Sequence, residues 1–174
     1  NWVALEEEDG KTYLVELVDK THKIKGIGAI NPHEMLNHLQ LGDSIQLGHK
    51  SFVRLPIGLP ELSKSMVRRA QTISAKDAGM IIAKMGIGSG YSVLEAGLGS
   101  GGLSLHIANV IGENGIHLTV EPREEHSNVG LENLRRASEC LSEFPKHHHI
   151  NGNIEDVVDQ IKSIKSDFDT IILD

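Results

Sequence analysis

A glycine-rich stretch behind an acidic residue, at residues 93–104, contains the side chains and turns best suited to bind a ligand. Glu95 stands near the end of an apolar run, and Gly97, Gly99 and Gly101 follow at alternate positions. Glycine adopts backbone angles that a Cβ forbids, and clustered glycines let a ligand approach the main chain. Such a turn between a strand and a helix is the usual nucleotide-binding geometry of an open α/β sheet. A carboxylate in front of it attracts a cationic or amine-bearing ligand. This favours S-adenosylmethionine, which has a sulfonium and an α-ammonium group.

The same glycines permit a second interpretation. Gly97, Gly99 and Gly102 also fit G-x-G-x-x-G, the pattern of dinucleotide-binding turns. Glu121 ends the next apolar run, and an acid there binds both ribose hydroxyls in either class of cofactor. A nicotinamide or flavin cofactor therefore stays an alternative, as does a glycine turn without a ligand. Glu95 favours S-adenosylmethionine because it would repel the phosphates of a dinucleotide.

The composition is ordinary for a globular protein. The chain has 174 residues, of which 39% are hydrophobic and 24% charged, enough for one substantial domain with a smaller one. No apolar run approaches the ~20 residues of a membrane span, so we expect no membrane partner. The one cysteine, Cys140, excludes an internal disulfide and fits a reducing compartment. We therefore expect a cytoplasmic protein.

The charge of the chain is unevenly distributed. The formal net charge of −7 argues against uniform wrapping of a nucleic acid, but residues 61–90 hold five basic and two acidic side chains. A local basic face can bind phosphates despite a negative total, and a solvated helix face explains the same pattern equally well. The basic residues of this segment are Lys64, Arg68, Arg69, Lys76 and Lys84.

The apolar and turn residues predict a small N-terminal all-β domain at 1–58, a helical connector at 59–90 and a Rossmann-like α/β domain at 91–174. Alternating strands and helices in the last segment predict a parallel, doubly wound sheet. Because such a sheet ending at Asp174 would leave an apolar edge unpaired, we expect further strands to follow. The predicted strands cover 12–18, 24–30, 44–47, 51–55, 92–96, 116–121, 147–151 and 170–173, and the predicted helices cover 61–72, 75–85, 102–111, 124–141 and 154–164.

The two helices of the connector are expected to bury one apolar face each. Ser74 is the expected N-cap of the second helix. The expected inward-facing residues are Leu62, Met66 and Val67 in the first helix and Met80, Ile81 and Ile82 in the second.

Three consecutive histidines, at 147–149, are the candidate metal ligands of the chain. On a strand, consecutive side chains alternate between the two faces of the sheet. At most two of the three could therefore share an ion, and we expect no metal site.

Five stretches, from the N-terminal segment to Asp174, share a pattern with one known family. With them the chain resembles the tRNA adenine-N1 methyltransferases, which modify the T-loop adenine at tRNA position 58. Lys76 and Asp77, together with an N-terminal β-domain, are the most specific part of the resemblance, and Ala75 stands where the family has proline. The stretches are KIKGIG at 23–28, RAQTISAKDAGMI at 69–81, VLEAGLGSGGL at 93–103, EPREEH at 121–126 and FDTIILD at 168–174.

The resemblance implies a class I methyltransferase fold with S-adenosylmethionine as cofactor. Glu121 would accept hydrogen bonds from both ribose hydroxyls, and His126 would lie beside the cofactor. Asn153 stands where the family usually has Asp, so it would accept from the adenine amino group of the cofactor without charge assistance, unless neighbouring Asp156 compensates. The residues implied to contact the methionine part through the main chain are Ser100, Gly101, Gly102 and Leu103.

The resemblance makes Asp174 the catalytic candidate. The matching Asp of the family holds the target adenine. A carboxylate that accepts from the exocyclic amino group would stabilise the positive charge that develops on the ring. The resemblance also implies tRNA as partner and assembly into a homo-oligomer, a tetramer.

Two other functions stay open. The residues from Gln71 to Ser74 also resemble a segment of the isoaspartyl protein methyltransferases, although those enzymes lack the Lys-Asp pair and the N-terminal β-domain. A non-catalytic cofactor-binding subunit is the second alternative. The presence of Glu95, Glu121 and Asp174 argues against it, because non-catalytic copies tend to lose such acids.

Overall fold

The computed structural model of the chain describes residues 1–69 and 71–174. The chain forms two compact units, Asn1–Met66 and Val67–Asp174. The division falls inside the segment 59–90 that the sequence pattern assigns to a connector. Ala70 belongs to the predicted helix 61–72 and lies outside the described residues.

The first unit is built on an antiparallel sheet with strand order β2-β1-β6-β5 and a separate hairpin of β3 and β4. Its strands are separated by turn residues such as Asp9-Gly10 and Gly42-Asp43, as the sequence predicts. β1 was not predicted. The single strand predicted over 24–30 is wrong, because Ile24 ends one strand of the hairpin and Gly28 begins the other. The strands are β1 (Trp2–Glu7), β2 (Thr12–Glu16), β3 (His22–Ile24), β4 (Gly28–Ile30), β5 (Ser44–Leu47) and β6 (Lys50–Leu55).

The core of the first unit is formed by apolar side chains from one face of this sheet and a short helix, α1 (Pro32–Leu36), which Asn31 caps. The Tyr13 and Phe52 rings meet edge to face with centroids 5.7 Å apart. Leu36 is completely buried in the same cluster. With proline at its start and only five residues, α1 has a sequence typical of a turn and was not predicted.

The helix predicted over 61–72 is wrong at its C-terminal end. The observed helix, α2 (Leu59–Ser65), ends at Ser65, and the backbone of Met66 is extended. Val67 lies outside the helix and is 41% exposed, rather than facing inward. The backbone beyond the helix makes hydrogen bonds within the second unit instead, because Val67 N–H donates to Asn133 Oδ1 over 2.9 Å.

The second unit contains a parallel sheet with strand order β10-β7-β8-β9, which confirms the predicted α/β fold class. The strands lie in register from Ser92 opposite Ile116 to Ala96 opposite Val120. The bounds predicted for three of the four strands are observed to the residue, and β9 begins one residue earlier. The strands are β7 (Ser92–Ala96), β8 (Ile116–Glu121), β9 (Lys146–Asn151) and β10 (Thr170–Leu173).

Helices α3 (Ala75–Met85) and α4 (Gly102–Ile111) have the predicted bounds, and Ser74 caps α3 by accepting from the Asp77 N–H. Met80 is 46% exposed, so the prediction that it faces inward is wrong. α5 (Glu124–Cys140) ends one residue early. The helix predicted at 154–164 is a 3-10 turn, Ile154–Asp156, followed by α6 (Val158–Ile164).

The parallel sheet is buried on both faces. Leu94 and Leu118 pack with Ile161 of α6 on one face, and Val93 packs with Ile107 of α4 on the other. Such burial explains the nearly continuous apolar runs of these strands. Of the helices that the structure describes, none combines the length and apolar character needed to cross a membrane.

Candidate active site

The candidate site lies at the carboxyl edge of the parallel sheet, where the strand order reverses. From β7 the chain moves outward to β8 and β9 and then returns to β10 on the other side of β7. Ligands of open α/β sheets bind at such a switch point. Gly97 follows β7 and Asp174 follows β10, and the Asp174 N–H donates to the Ala96 carbonyl over 3.0 Å.

Gly97 is required by this junction. Its φ of 98° lies in the region that side chains with a Cβ rarely adopt. A Cβ at this position would lie 3.1 Å from the Asp174 carbonyl oxygen and 3.3 Å from the Asp174 Cβ. Glycine therefore allows the ends of the two neighbouring strands to approach each other at the edge of the sheet.

Two clefts, each of about 260 Å³, open beside this junction, and Gly97 and Asp174 line both. The two clefts therefore meet at these two residues. The first cleft is also lined by Gln71, Thr72, Ile73, Glu95, Gly99, Ser100, Gly102 and Leu103, and the second by Glu121, Arg123, Gly152, Asn153 and Glu155.

Glu121 at the end of β8 is a buried, ionised acceptor in the second cleft. Its Oε2 accepts from the Gly99 N–H over 3.0 Å, and its Oε1 accepts from the backbone N–H and Nε of Arg123 over 3.1 and 2.9 Å. Burial alone would raise the pKa of this carboxyl, but the hydrogen bonds, led by the Arg123 side chain, outweigh it and lower the pKa. The Arg123 side chain is 60% exposed and can therefore leave the carboxylate.

Glu95 lines the first cleft from within the sheet and is 2% exposed. Its Oε2 accepts from Ser104 Oγ over 2.7 Å and lies 2.8 Å from His117 Nε2. The carboxylate that is predicted to attract a cation thus has hydrogen-bond partners within the protein at one of its two oxygens. Direct contact with a ligand stays a prediction.

Asn153 offers a side-chain acceptor in the second cleft. Its Nδ2 donates to Asp156 Oδ2 over 3.2 Å. A carboxylate only accepts, so this contact orients the amide and leaves Oδ1 for a ligand. Asn153 lines the cleft and Asp156 does not. Asp156 therefore orients the side-chain amide of Asn153 and does not line the cleft itself.

The buried side-chain amide of Asn133 forms hydrogen bonds both to the segment after Met66 and to the glycine loop. Asn133 of α5 donates through Nδ2 to the Val67 and Ser100 carbonyls over 2.7 and 2.9 Å, and its Oδ1 accepts from the Val67 N–H. Ser100 Oγ accepts from the Arg69 N–H over 3.1 Å. These bonds hold the start of the segment that supplies residues 71–73 to the first cleft.

Two predicted cofactor residues lie outside both clefts. Gly101 has a φ of 81°, and a Cβ there would lie 3.2 Å from the Gly130 carbonyl oxygen. The need for glycine at 101 thus comes from the approach of α5. His126, on the first turn of α5, has its Nδ1 buried without a hydrogen-bond partner among the described residues. Cofactor contacts of these two residues stay predictions.

Two of the three histidines of β9, His147 and His149, belong to a polar network on one face of the sheet. Thr119 Oγ1 lies 2.9 Å from His147 Nε2 and 2.8 Å from His149 Nδ1. Burial, followed by the neighbouring histidines, lowers the pKa of His147 to about 3. Among residues 1–69 and 71–174, no three His, Cys, Asp or Glu side chains are grouped to hold a metal ion.

Four residues that shape the site were not predicted from the sequence: Arg123, Gly130, Asn133 and His117. Gly130 had a readable signal, because glycine is unfavourable in the interior of a helix. A Cβ there would lie 2.6 Å from Leu98 Cγ and 2.8 Å from the Gly99 carbonyl oxygen. Asn133 and His117 act through hydrogen bonds to distant parts of the chain, which leave no local pattern. Arg123 acts through a hydrogen bond to Glu121, two residues away, and its spacing from that acid was the available signal.

A family model described as "tRNA methyltransferase complex GCD14 subunit" matches residues 51–174. The chain belongs to this family. Membership in the GCD14 family confirms the resemblance seen in the sequence. The matched residues include the glycine loop and the segment from Arg69 to Ile81, on which the resemblance rests.

Named relatives agree with the GCD14 assignment. The chain is 33% identical over 133 residues to tRNA (adenine(57)-N(1)/adenine(58)-N(1))-methyltransferase TrmI of Methanocaldococcus jannaschii, a match that covers 76% of the chain and 45% of the relative. It is 34% identical over 139 residues to tRNA (adenine(58)-N(1))-methyltransferase TrmI of Thermus thermophilus, covering 76% and 52%. The chain thus spans about half the length of these relatives.

Solved structures share the fold of this GCD14-family chain. A SAM-dependent O-methyltransferase from Thermotoga maritima matches with a TM-score of 0.68 and 24% identity, over 90% of the chain and 57% of that structure. The tRNA (m1A58) methyltransferase TrmI from Aquifex aeolicus matches with a TM-score of 0.64 and 23% identity, over 90% and 58%.

Proposed function

We propose that the protein binds S-adenosylmethionine in the paired clefts and transfers its methyl group to N1 of an adenine in the tRNA T-loop, at position 58. Membership in a tRNA methyltransferase family and the names of the relatives support this substrate. The observation that carries the proposal is the meeting of the two clefts at Gly97 and Asp174, with a buried carboxylate, Glu95 or Glu121, on the wall of each.

The second cleft fits the adenosine part of the cofactor. Ribose hydroxyls would donate to the Glu121 carboxylate, and the exposed Arg123 side chain would exchange its Nε–H bond for one of them. Asn153 Oδ1, which the contact with Asp156 leaves available, would accept from the adenine amino group. Both acceptors thus face groups of the ligand that have a hydrogen to donate.

The first cleft fits the methionine part. Gly99 and Ser100 line it, and a glycine there lets a ligand approach the main chain closely. Glu95 supplies a negative charge for the α-ammonium group. The cleft thus complements a zwitterion attached to a cationic sulfur.

The reaction requires little proton transfer by the protein. S-adenosylmethionine supplies an electrophilic methyl group on a positively charged sulfur. Adenine N1 has a free lone pair, so no base has to remove a proton before the new N–C bond forms and the C–S bond breaks. Asp174 would accept from the exocyclic amino group and stabilise the positive charge on the ring. Alignment by the two clefts would provide much of the remaining rate enhancement.

The partner in this proposal is tRNA, with its target adenine extruded into the site. Arg68, Arg69, Lys76 and Lys84 are exposed side chains of the second unit and would contact phosphates. We further propose a homotetramer, in which neighbouring subunits would extend the phosphate-binding surface, and a cytoplasmic location.

The proposal is tested by incubating the full chain with an unmodified tRNA transcript and labelled S-adenosylmethionine, followed by mass spectrometry of the nucleosides. We expect 1-methyladenosine at position 58, formed at a rate that falls with added salt as phosphate contacts are screened. Asp174→Asn should abolish transfer and leave cofactor affinity unchanged. Asp159→Asn, which alters an exposed acid of α6, is the matched control.

Each alternative function predicts a different result when an isoaspartyl peptide is offered as a second substrate beside tRNA. Methylation of an isoaspartyl peptide with none on tRNA would identify a protein-repair enzyme. Cofactor binding without transfer to either substrate would identify a non-catalytic subunit. Unchanged turnover in Asp174→Asn would refute the role of that carboxylate.

A further inference from the structure

We propose that His117 is a positioning residue, which fixes the Glu95 carboxylate so that one oxygen faces the α-ammonium group of the cofactor. The inference rests on the proposed function, because it assumes that the first cleft receives the methionine part. It assigns a role to a histidine that is completely buried, 0% exposed, within the central sheet.

The sheet register brings the two side chains together. His117 of β8 lies opposite Val93 of β7, and Glu95 is two residues further along β7. Since side chains alternate along a strand, Glu95 and His117 share one face as diagonal neighbours. His117 Nε2 lies 2.8 Å from Glu95 Oε2. The contact therefore follows directly from the parallel pairing.

The hydrogen-bonding roles are determined by chemistry. An ionised carboxylate only accepts, so the hydrogen must be on His117 Nε2. His117 Nδ1 is buried and has no partner among the described residues. Buried N–H groups without a partner are rarer in proteins than buried acceptors without one, which favours the Nε2–H tautomer. The ring is also held by an edge-to-face contact with His147, with centroids 5.5 Å apart.

Both donors of the protein converge on the same oxygen of Glu95. Ser104 of α4 donates to Oε2 over 2.7 Å, from the helix side, and His117 donates to Oε2 from the sheet side. Among the described residues, the hydrogen bonds of the Glu95 side chain both use this oxygen. Glu95 lines the first cleft, so Oε1 is the oxygen left for a ligand.

This arrangement gives His117 a specific effect on one end of the ligand. Without its N–H, the carboxylate would lose one of two donors that set its rotamer, and Oε1 would no longer be aimed at the cleft. The adenosine part would be unaffected, because its contacts lie in the other cleft, with Glu121 and Asn153.

The test compares two ligands by calorimetric titration of the full chain. S-adenosylhomocysteine keeps the amino-acid part, whereas 5′-methylthioadenosine lacks it. In His117→Leu we expect the Kd of S-adenosylhomocysteine to rise about tenfold or more, as for a misaligned charge-assisted hydrogen bond. The Kd of 5′-methylthioadenosine should stay within about twofold of wild type.

Two further variants keep the inference falsifiable if His117→Leu does not fold. His117→Gln restores an N–H donor near the Nε2 position and should bring the S-adenosylhomocysteine Kd back to within about threefold of wild type. Ser104→Ala removes the second donor with little change of volume and should weaken the same ligand selectively.

The outcomes separate this inference from the proposed function. Failure of the wild-type protein to bind S-adenosylhomocysteine would overturn the proposed function itself. If wild type binds but both ligands weaken equally in the variants, or neither weakens, His117 has a structural role only and the inference is wrong. Lack of rescue by His117→Gln would also contradict it.

Discussion

Replacing Gly130 by alanine tests how closely α5 supports the glycine loop. In a helix interior the change normally stabilises, because glycine is about 0.8–1.0 kcal/mol less favourable than alanine. Here the new Cβ would lie 2.6 Å from Leu98 Cγ and 2.8 Å from the Gly99 carbonyl oxygen. The oxygen belongs to the main chain and cannot rotate away, so overpacking should cost about 1–3 kcal/mol. We expect a net loss of up to about 2 kcal/mol.

The matched control is Gly79→Ala in α3. Gly79 is also inside a helix, but a Cβ there would meet nothing within 4 Å. It should therefore stabilise by about 0.5–1 kcal/mol. Urea unfolding followed by circular dichroism measures both variants. Their difference removes the helix propensity and isolates the overlap at Gly130, about 1–3 kcal/mol.

The Gly130→Ala substitution should also affect ligand binding at the candidate site. The Gly99 N–H donates to Glu121 Oε2 over 3.0 Å, so pushing the Gly99 main chain away should also weaken S-adenosylhomocysteine binding in Gly130→Ala. Binding in Gly79→Ala should be unchanged. If both alanine variants stabilise by the same amount and bind equally, the close contact between α5 and the loop does not exist.

Three further predictions follow from the hydrogen bonds of the second unit. Glu121→Gln keeps the shape but removes the charge, and calorimetry should record a cofactor Kd about 10–100 times higher, the loss of roughly 1.5–3 kcal/mol expected for hydrogen bonds to a charged group. Asn133→Ala removes three hydrogen bonds and should lower the free energy of unfolding by about 1–3 kcal/mol, whereas Asn128→Ala on the exposed side of α5 should change it by less than about 0.5 kcal/mol. His147 has a folded-state pKa of about 3, below the unfolded value near 6.5, so the unfolded chain binds the extra proton first and stability falls as the pH drops from about 6.5 towards 3. Between pH 7 and 5 the free energy of unfolding should fall by about 2 kcal/mol because of His147. This fall should be missing in His147→Gln. An equal dependence of the unfolding free energy on pH in the two proteins would rule it out.

Much of the second unit could be predicted from the sequence because its signals are local. Apolar runs bounded by turns predict strands 92–96, 116–121 and 170–173 to the residue, and the side-chain cap of α3 is visible in Ser74. The helix predicted to 72 fails for a non-local reason. Its apolar pattern continues through Val67, but the Val67 backbone bonds to Asn133, 66 residues away.

The positions of the three candidate acids in the fold could also be predicted from the sequence, whereas their roles stay predictions. Glu95, Glu121 and Asp174 stand at or near strand ends, and parallel strands bring these ends to one edge. The contact of Glu95 with His117 was not predictable, because it depends on the register of two strands. A histidine inside an apolar run has no distinguishing local pattern.

Calorimetric titration of the full chain with S-adenosylhomocysteine, and separately with NADH, tests the central claim most directly. The paired clefts with a carboxylate in each predict saturable binding of S-adenosylhomocysteine, weakened in Glu121→Gln, and no binding of NADH. Tight binding of NADH together with no detectable heat from S-adenosylhomocysteine would contradict the account.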